Sequence, residues 1–439
     1  MTNSIDMQYK VGPSDDCEVV RMTAAALDTL AEAQQNADRL RILWVKVGGL
    51  WPVNTGGRLR SFNLIKELSA QHELDVLTTH HPAEDGGALK AQIPRCSMVK
   101  SLPHAMVKRN SAAFIWHLMR SWFTPLPVDV YKCRIEELGA EVNKALQNGN
   151  YDLCIADFLV AAPNVPMRGK VPIVYFSHNV EYMIWKRLAQ IETNPVRRAL
   201  LDIEWRKMRR FETRTCADAA LSIAVSQEDC AQLSDDNPAM KIRAIPTGVD
   251  IEYFKPSNAV KEKPLELVFT GSMDWHPNED AILYFIDSIL PLIRSELPGV
   301  TLTVAGRNPS AKLRSAAEHA NVTITGTVAD VRPHIERAAV YIVPLRVGGG
   351  TRLKIFEALA MGKAVVSTTI GAEGLPLQDD VHVVRADTPQ TFANAVLTLL
   401  RDKAGRDQLG ANGRQLMEDK FSWPKVAQQF AEYCAEVRR

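Results

Sequence analysis

RILWVKVGGLWPVNTGGRLRSFNLIKELSAQHELDVLTTH, residues 41–80, reads as strand, glycine-rich loop, helix and strand in immediate succession. RILWVKV is an apolar run of strand length closed by Gly48-Gly49. After Gly56-Gly57, Leu59, Phe62, Leu64, Ile65 and Leu68 recur at helical spacing, and ELDVLTTH is a second strand. This βαβ unit predicts a parallel pair and an α/β fold. Strands expected over 152–158, 173–176 and 219–225, with helices over 111–123, 135–146 and 194–216, extend it to a doubly wound sheet.

The alternation breaks where PTGVDIEYFKPSNAVKEKP (246–264) collects turn residues and charges, as a linker does. It then resumes. Strands are expected over 265–270, 301–305, 321–325, 340–343 and 364–367, with a weaker one at 382–384. Helices are expected over 280–296, 311–320, 353–361, 391–401, 407–420 and 421–437. The predicted division is an N-terminal extension (1–40, partly helical or disordered, of helix-forming composition from Val20), a Rossmann-like half (41–248), a linker (249–264), a second Rossmann-like half (265–420) and a final helix (421–439). In doubly wound sheets ligands bind at the carboxyl ends of the strands, so the site is expected in the cleft between the halves.

The 439 residues are 46% apolar and 23% charged, which excludes a disordered, collagen-like or coiled-coil chain. Lys and Arg number 52 against 51 Asp and Glu, a net charge of +1. That leaves no global basic surplus for a nucleic-acid track. Seven scattered cysteines without metal or disulfide spacing fit a reducing compartment. Asp6, Asp15, Asp16 and Glu18 precede the first apolar run, so no secretory signal is read. No uncharged apolar stretch reaches about 18 residues, so a cytoplasmic protein is expected.

Five loops after predicted strands carry site-like chemistry. PLRVGGGTRLKIFEALAMG (344–362) places three glycines at a helix start, where free N–H groups and the helix dipole suit a diphosphate. Arg352 and Lys354 fall in the first turn, where cations are unfavourable without an anion. Lys354 and Glu357 share a helix face, and a carboxylate there can bind ribose hydroxyls. Ser177-His178-Asn179-Val180-Glu181 follows the strand IVYF; His178 can hydrogen-bond a sugar hydroxyl or phosphate, or serve as acid or base. Gly271-Ser272 and Gly306-Arg307 follow two strands of the second half, where glycine and a forked guanidinium suit phosphate. Gly56-Gly57 lets a phosphate or sugar approach a helix N-terminus, but Gly48–Arg58 is not a G-x-G-x-x-G fingerprint. The aromatic run over 111–123 reads as a buried core helix, against an acceptor cleft or a shallow membrane contact.

These residues, in this order, resemble the family 4 glycosyltransferases of GT-B fold, from about Arg41 to the C-terminus. The most specific part is Gly348–Gly362 followed by KAVVS. The resemblance implies two Rossmann-like domains facing a central cleft, acceptor-binding first and nucleotide-sugar-binding second, with the final helix returning to the first. It implies retaining transfer from a UDP- or GDP-sugar to a hydroxyl of a glycan, lipid-linked or small-molecule acceptor, in polysaccharide or glycoconjugate biosynthesis. No nucleic acid, metal or other cofactor is expected; a peripheral contact at the inner membrane face is.

The resemblance places Gly57, Gly350, Thr351 and Glu357 on the donor side and gives His178 a catalytic place. The residues themselves add Gly271, Ser272, Arg307 and Gly349 to the donor side, Arg352 and Lys354 to the catalytic set, and Asn179 and Glu181 as acceptor-side candidates. Two departures stand out. Position 349 is Gly where the first acid of the family's Glu-x7-Glu motif belongs, and GSMDWHPN lacks the usual Arg…Lys pair. Arg352 and Lys354, with Arg307, are expected to replace that pair. A sugar-nucleotide epimerase of the same fold and a non-catalytic nucleotide- or glycan-binding subunit are the alternatives.

Overall fold

The computed structural model describes residues 5–8, 19–22, 39–53, 55–107, 111–235, 237–257, 259–347 and 353–438. Ile5–Gln8 and Val19–Met22 pair antiparallel. Val20–Met22 is therefore strand where helical composition was read, as the β-branched Val19-Val20 favours. Residues 23–38 lie outside the described residues.

The first sheet has seven parallel strands: β1 (Arg41–Lys46), β2 (Glu73–His80), β3 (Met98–Pro103), β4 (Leu153–Asp157), β5 (Ile173–Phe176), β6 (Leu221–Ala224) and β7 (Ile242–Ala244). Their spatial order is β3-β2-β1-β4-β5-β6-β7. The second has six: β8 (Lys263–Thr270), β9 (Thr301–Ala305), β10 (Thr323–Gly326), β11 (Ala338–Val343), β12 (Ala364–Ser367) and β13 (Val384–Arg385), ordered β10-β9-β8-β11-β12-β13. In both, the order reverses between the first and fourth strands, which is where such sheets open a ligand crevice.

Helices that position the site are α1 (Gly56–Leu68), α2 (Ala112–Ser121), α3 (Glu181–Ile191), α4 (Pro195–Asp218), α5 (His276–Tyr284), α6 (Leu353–Ala360) and α7 (Trp423–Ala435). Local chemistry starts several of them. Thr55, Ser111 and Asn194 each accept a hydrogen bond from the first-turn backbone of α1, α2 and α4, and Pro195 opens α4.

Strand alternation fills both faces of each sheet. Ile42, Trp44, Val76, Ile155, Val174 and Phe176 pack on one side of the first sheet; Leu43, Val45, Leu77, Cys154 and Ala156 pack on the other. In the second, Leu267, Phe269, Leu302, Val304 and Ile342 oppose Val268, Tyr341, Val343 and Val365.

The expected helix over 280–296 is broken into α5, a π-helical turn at Phe285–Ile289 and Leu290–Glu296. Pro291 has no N–H for the regular ladder, and the widened turn absorbs the missing bond. The expected linker is not loose. β8 already starts at Lys263, and Val249, Ile251 and Phe254 pack against the second sheet's core.

The last helix contacts the first half. Phe430 stacks on Trp44 with centroids 5.7 Å apart and meets Phe176 edge-on at 5.2 Å. Val249 N–H donates to Phe421 O at 2.7 Å, just before α7. Gly248 admits the Trp423 ring: a Cβ there would come within 2.5 Å of it.

Candidate functional site

At the reversal point of the first sheet, Lys46 and Asp157 end adjacent strands and are register partners. Both are buried, with Lys46 Nζ 3.2 Å from Asp157 Oδ2. The carboxylate also accepts from Trp44 Nε1 at 2.9 Å and from His178 Nε2 at 2.7 Å. His178 Nδ1 lies 3.1 Å from Arg60 Nη1 and accepts from it, and Arg60 Nε donates to Thr247 Oγ1 at 2.9 Å. A helix residue, two strand ends and the chain leaving the first half therefore converge on one charged network.

The electrostatics follow from burial. Burial depresses Lys46 to about 8, against the opposing pull of Asp157. Burial alone would raise Asp157, but Lys46 and His178 overcome it and hold the carboxyl below its usual range. His178 is driven down to about 3 by burial, so the imidazole is neutral and both nitrogens are engaged. Phe158 covers it: the rings stack at 3.7 Å, Lys46 Nζ sits 4.0 Å from the Phe158 centroid, and the Phe158 backbone takes a left-handed φ of 72°. Such strain in a non-glycine residue gathers at functional sites. Gly57 belongs to the same assembly, because a Cβ there would reach within 2.5 Å of the Phe158 ring.

The second group lies at the reversal point of the other sheet. Gly271 follows β8, and Gly306-Arg307 follows β9. A Cβ on Gly271 would meet Asn278 and Lys354, each at 2.8 Å, and one on Gly306 would strike the Gly271 carbonyl. Lys354 Nζ donates to Asn278 Oδ1 at 2.6 Å and lies 4.0 Å from the Phe269 ring centroid. Glu357, one turn along α6, is half-buried, and burial pushes it up to about 7 against the pull of Lys354. Arg307 Nε donates to Ser272 Oγ at 2.7 Å, and its guanidinium lies 3.9 Å from Asp274. Its charge is thus shared with an acid that sequence reading did not consider. Gly349, Gly350, Thr351 and Arg352 lie outside the described residues.

Asn179 is exposed, and its carbonyl accepts from Ser177 Oγ at 2.8 Å. Glu181 opens α3, its N–H donating to buried Glu212, and it lines a cavity of about 200 Å³ with Met106, Lys132 and Leu159. The structure therefore brings Gly57 to His178, and Gly271, Ser272 and Arg307 to Lys354. Lys46, Arg60, Asp157, Phe158 and Asn278 are the residues that sequence reading missed. The one available signal was a Lys or Asp at the end of an otherwise apolar run. Among the described residues, no cluster of three or more His, Cys, Asp or Glu could hold a metal.

If Glu357 binds ribose hydroxyls, it must do so as the carboxylate. Its raised pKa leaves it protonated below about pH 7, so the donor KM should climb as pH falls through that value. In Glu357→Gln the KM should be high and level across the same range. A wild-type donor KM that stays constant from pH 8 to about 5.5 would remove Glu357 from the donor site.

Residues 54–253 match the family described as Glycosyltransferase Family 4, and residues 264–402 match Glycosyl transferases group 1. An uncharacterized 44.6 kDa protein in the cps region of Klebsiella pneumoniae is 21% identical over 88% of this chain and 97% of its own. A GDP-mannose-dependent alpha-(1-6)-phosphatidylinositol monomannoside mannosyltransferase of Mycobacterium tuberculosis is 27% identical over 45% of this chain, but the match spans only 56% of that enzyme. Among solved structures, sucrose-phosphate synthase of Thermosynechococcus elongatus aligns over 90% of this chain and 99% of its own, with a TM-score of 0.63 and 16% identity. Anabaena HepE in complex with UDP aligns over 90% and 100%, with a TM-score of 0.61 and 17% identity.

Two Rossmann-like sheets, each with polar groups at its reversal point, define the GT-B architecture. The chain carries a Glycosyltransferase Family 4 region over residues 54–253 and a Glycosyl transferases group 1 region over 264–402, consistent with a family 4 glycosyltransferase. It is a glycosyltransferase-type enzyme. Among the described residues no helix is long and apolar enough to cross a membrane.

Proposed function

We propose that this enzyme transfers a hexose, with retention, from a UDP- or GDP-sugar to a hydroxyl of a glycan or lipid-linked acceptor. The setting is polysaccharide or glycoconjugate biosynthesis, from the cytoplasm and at the inner face of the membrane. The observation that carries this reading is Lys354. Its ammonium is fixed by Asn278 and by the Phe269 ring beside Gly271, at the sheet edge where a diphosphate would lie.

In the transfer, the bond from sugar C1 to the diphosphate oxygen breaks and one to the acceptor oxygen forms. The acceptor proton ends on the departing diphosphate. Negative charge develops on that leaving group, and a preorganised ammonium stabilises it. Gly349, Gly350, Thr351 and Arg352 are assigned to the same diphosphate from sequence, Arg307 with Ser272 to its rim, and Glu357 to the ribose. His178, neutral and held at both nitrogens, acts by position, as the wall behind Phe158 and Gly57. Asn179 and Glu181 remain the acceptor-side candidates. Neither a metal nor another cofactor enters the scheme.

Purified protein incubated with UDP- and GDP-sugars should release nucleoside diphosphate faster when acceptor is added, with product of the donor's anomeric configuration by NMR. An acceptor-independent epimer of the donor would instead indicate the epimerase. Binding without turnover across the panel would indicate a non-catalytic subunit.

A further inference from the structure

The aromatic run before α4 is not a core helix. α2 turns its apolar side outward: Phe123, just past its end, is 92% exposed and Trp116 is 55% exposed, with Ile115, Met119 and Trp122 each about half exposed. At 100° per residue, Trp116, Met119 and Phe123 form one stripe, with Ile115 and Trp122 beside it. Phe114, His117, Leu118 and Ser121 turn inward, Phe114 and Leu118 against the cluster of Met208 and Trp185 and His117 edge-on to Tyr131 at 5.9 Å. A patch of this composition on one side of a helix marks a surface that is covered in use.

What covers it is indicated by the charge next to it. Lys207 Nζ donates to Ser121 O at 2.8 Å, so a turn of α4 lies beside the end of α2. α4 exposes Arg197, Arg198, Arg206, Arg210 and Arg214, together with apolar Val196 and Ile203. Arg206, Arg209, Arg210 and Arg214 line an open cavity of about 740 Å³ with Trp205. Two of the four acids of α4, Glu204 and Glu212, are buried and spent on backbone N–H groups. The outer side of α4 is therefore strongly basic, although the chain carries a net charge of only +1. Exposed Trp and Phe beside a row of guanidinium groups match the interface of an anionic bilayer, rings at headgroup depth and arginines on lipid phosphate. The ten residues of α2 make a helix of about 15 Å, half the hydrocarbon thickness, so it lies in the interface and does not cross.

We propose that the outward side of α2 and the arginine row of α4 dock this enzyme on a bilayer surface containing anionic phospholipid. This deepens the membrane-face reading above and rests on it for its purpose, but the binding itself needs no transfer activity.

The test is co-sedimentation of the full chain with phosphatidylcholine vesicles, with and without phosphatidylglycerol. The wild type should bind the anionic vesicles and lose them at high salt. Trp116→Ser with Phe123→Ser should weaken binding by roughly tenfold or more. Arg206→Glu with Arg210→Glu should weaken it by roughly 30-fold or more. Nucleoside diphosphate release with a water-soluble acceptor should be unchanged in both variants. Absence of wild-type binding, equal binding by the variants, or a self-association that only the aromatic variant abolishes would each overturn the proposal. Vesicle binding without any nucleoside diphosphate release would instead sink the transferase reading and leave the docking surface standing.

Discussion

Lys354→Ala should lower kcat by about 10²- to 10³-fold, with a smaller change in the donor KM. The ammonium is already fixed, bonded to Asn278 at 2.6 Å and seated over Phe269, so little reorganisation is needed as charge grows on the leaving diphosphate. An interaction that strengthens only as the bond breaks appears in kcat rather than in ground-state binding. Asn278→Ala keeps the charge but frees it, and should fall between the variant and the wild type. Single-turnover release of nucleoside diphosphate is the direct measurement. A Lys354→Ala enzyme with wild-type turnover would end the assignment and shift the burden to Arg352 and Arg307.

The largest expected loss of stability comes from the other half. Asp157→Asn should cost about 3–5 kcal/mol, because it leaves the Lys46 charge buried without its counterion. It also weakens the acceptor that holds Trp44 and His178. Adding Lys46→Met to Asp157→Asn should recover part of the loss, since the stranded charge is then gone. Urea unfolding of the two variants at neutral pH measures both quantities. A single variant as stable as the wild type would show that the network is not a structural keystone.

The strands buried on both sides were the most legible elements. IVYF, TLTVA and AVVS were expected over the residues where β5, β9 and β12 occur, because continuous apolar runs bounded by turn residues have few other readings. The edge strands β3 and β7 were missed. MVKSLP carries Lys and Pro, and IRA is three residues long, so neither shows the pattern of a buried strand. The same physics divided the site. Glycines and His178 were found because they directly follow buried strands. Lys46 and Asp157 were not, since each reads as a polar end to its own strand. Their meaning depends on β1 lying beside β4, which is sheet order and not local pattern. In the run over 111–123 apolar residues occur around the whole helix, and only tertiary packing shows which side meets the protein.

The return of α7 to the first half has a temporal consequence. Trp423, Val426 and Phe430 complete the same core as Trp44 and Phe176. Synthesis runs from the N-terminus, so the first sheet emerges early and then waits for α7, which follows the whole second sheet, to cover it. The first half is completed only after the second has been made. Until α7 leaves the ribosome, a patch including Trp44 and Phe176 stays open to solvent or to chaperones. A chain cut before α7 is thereby denied a finished first core.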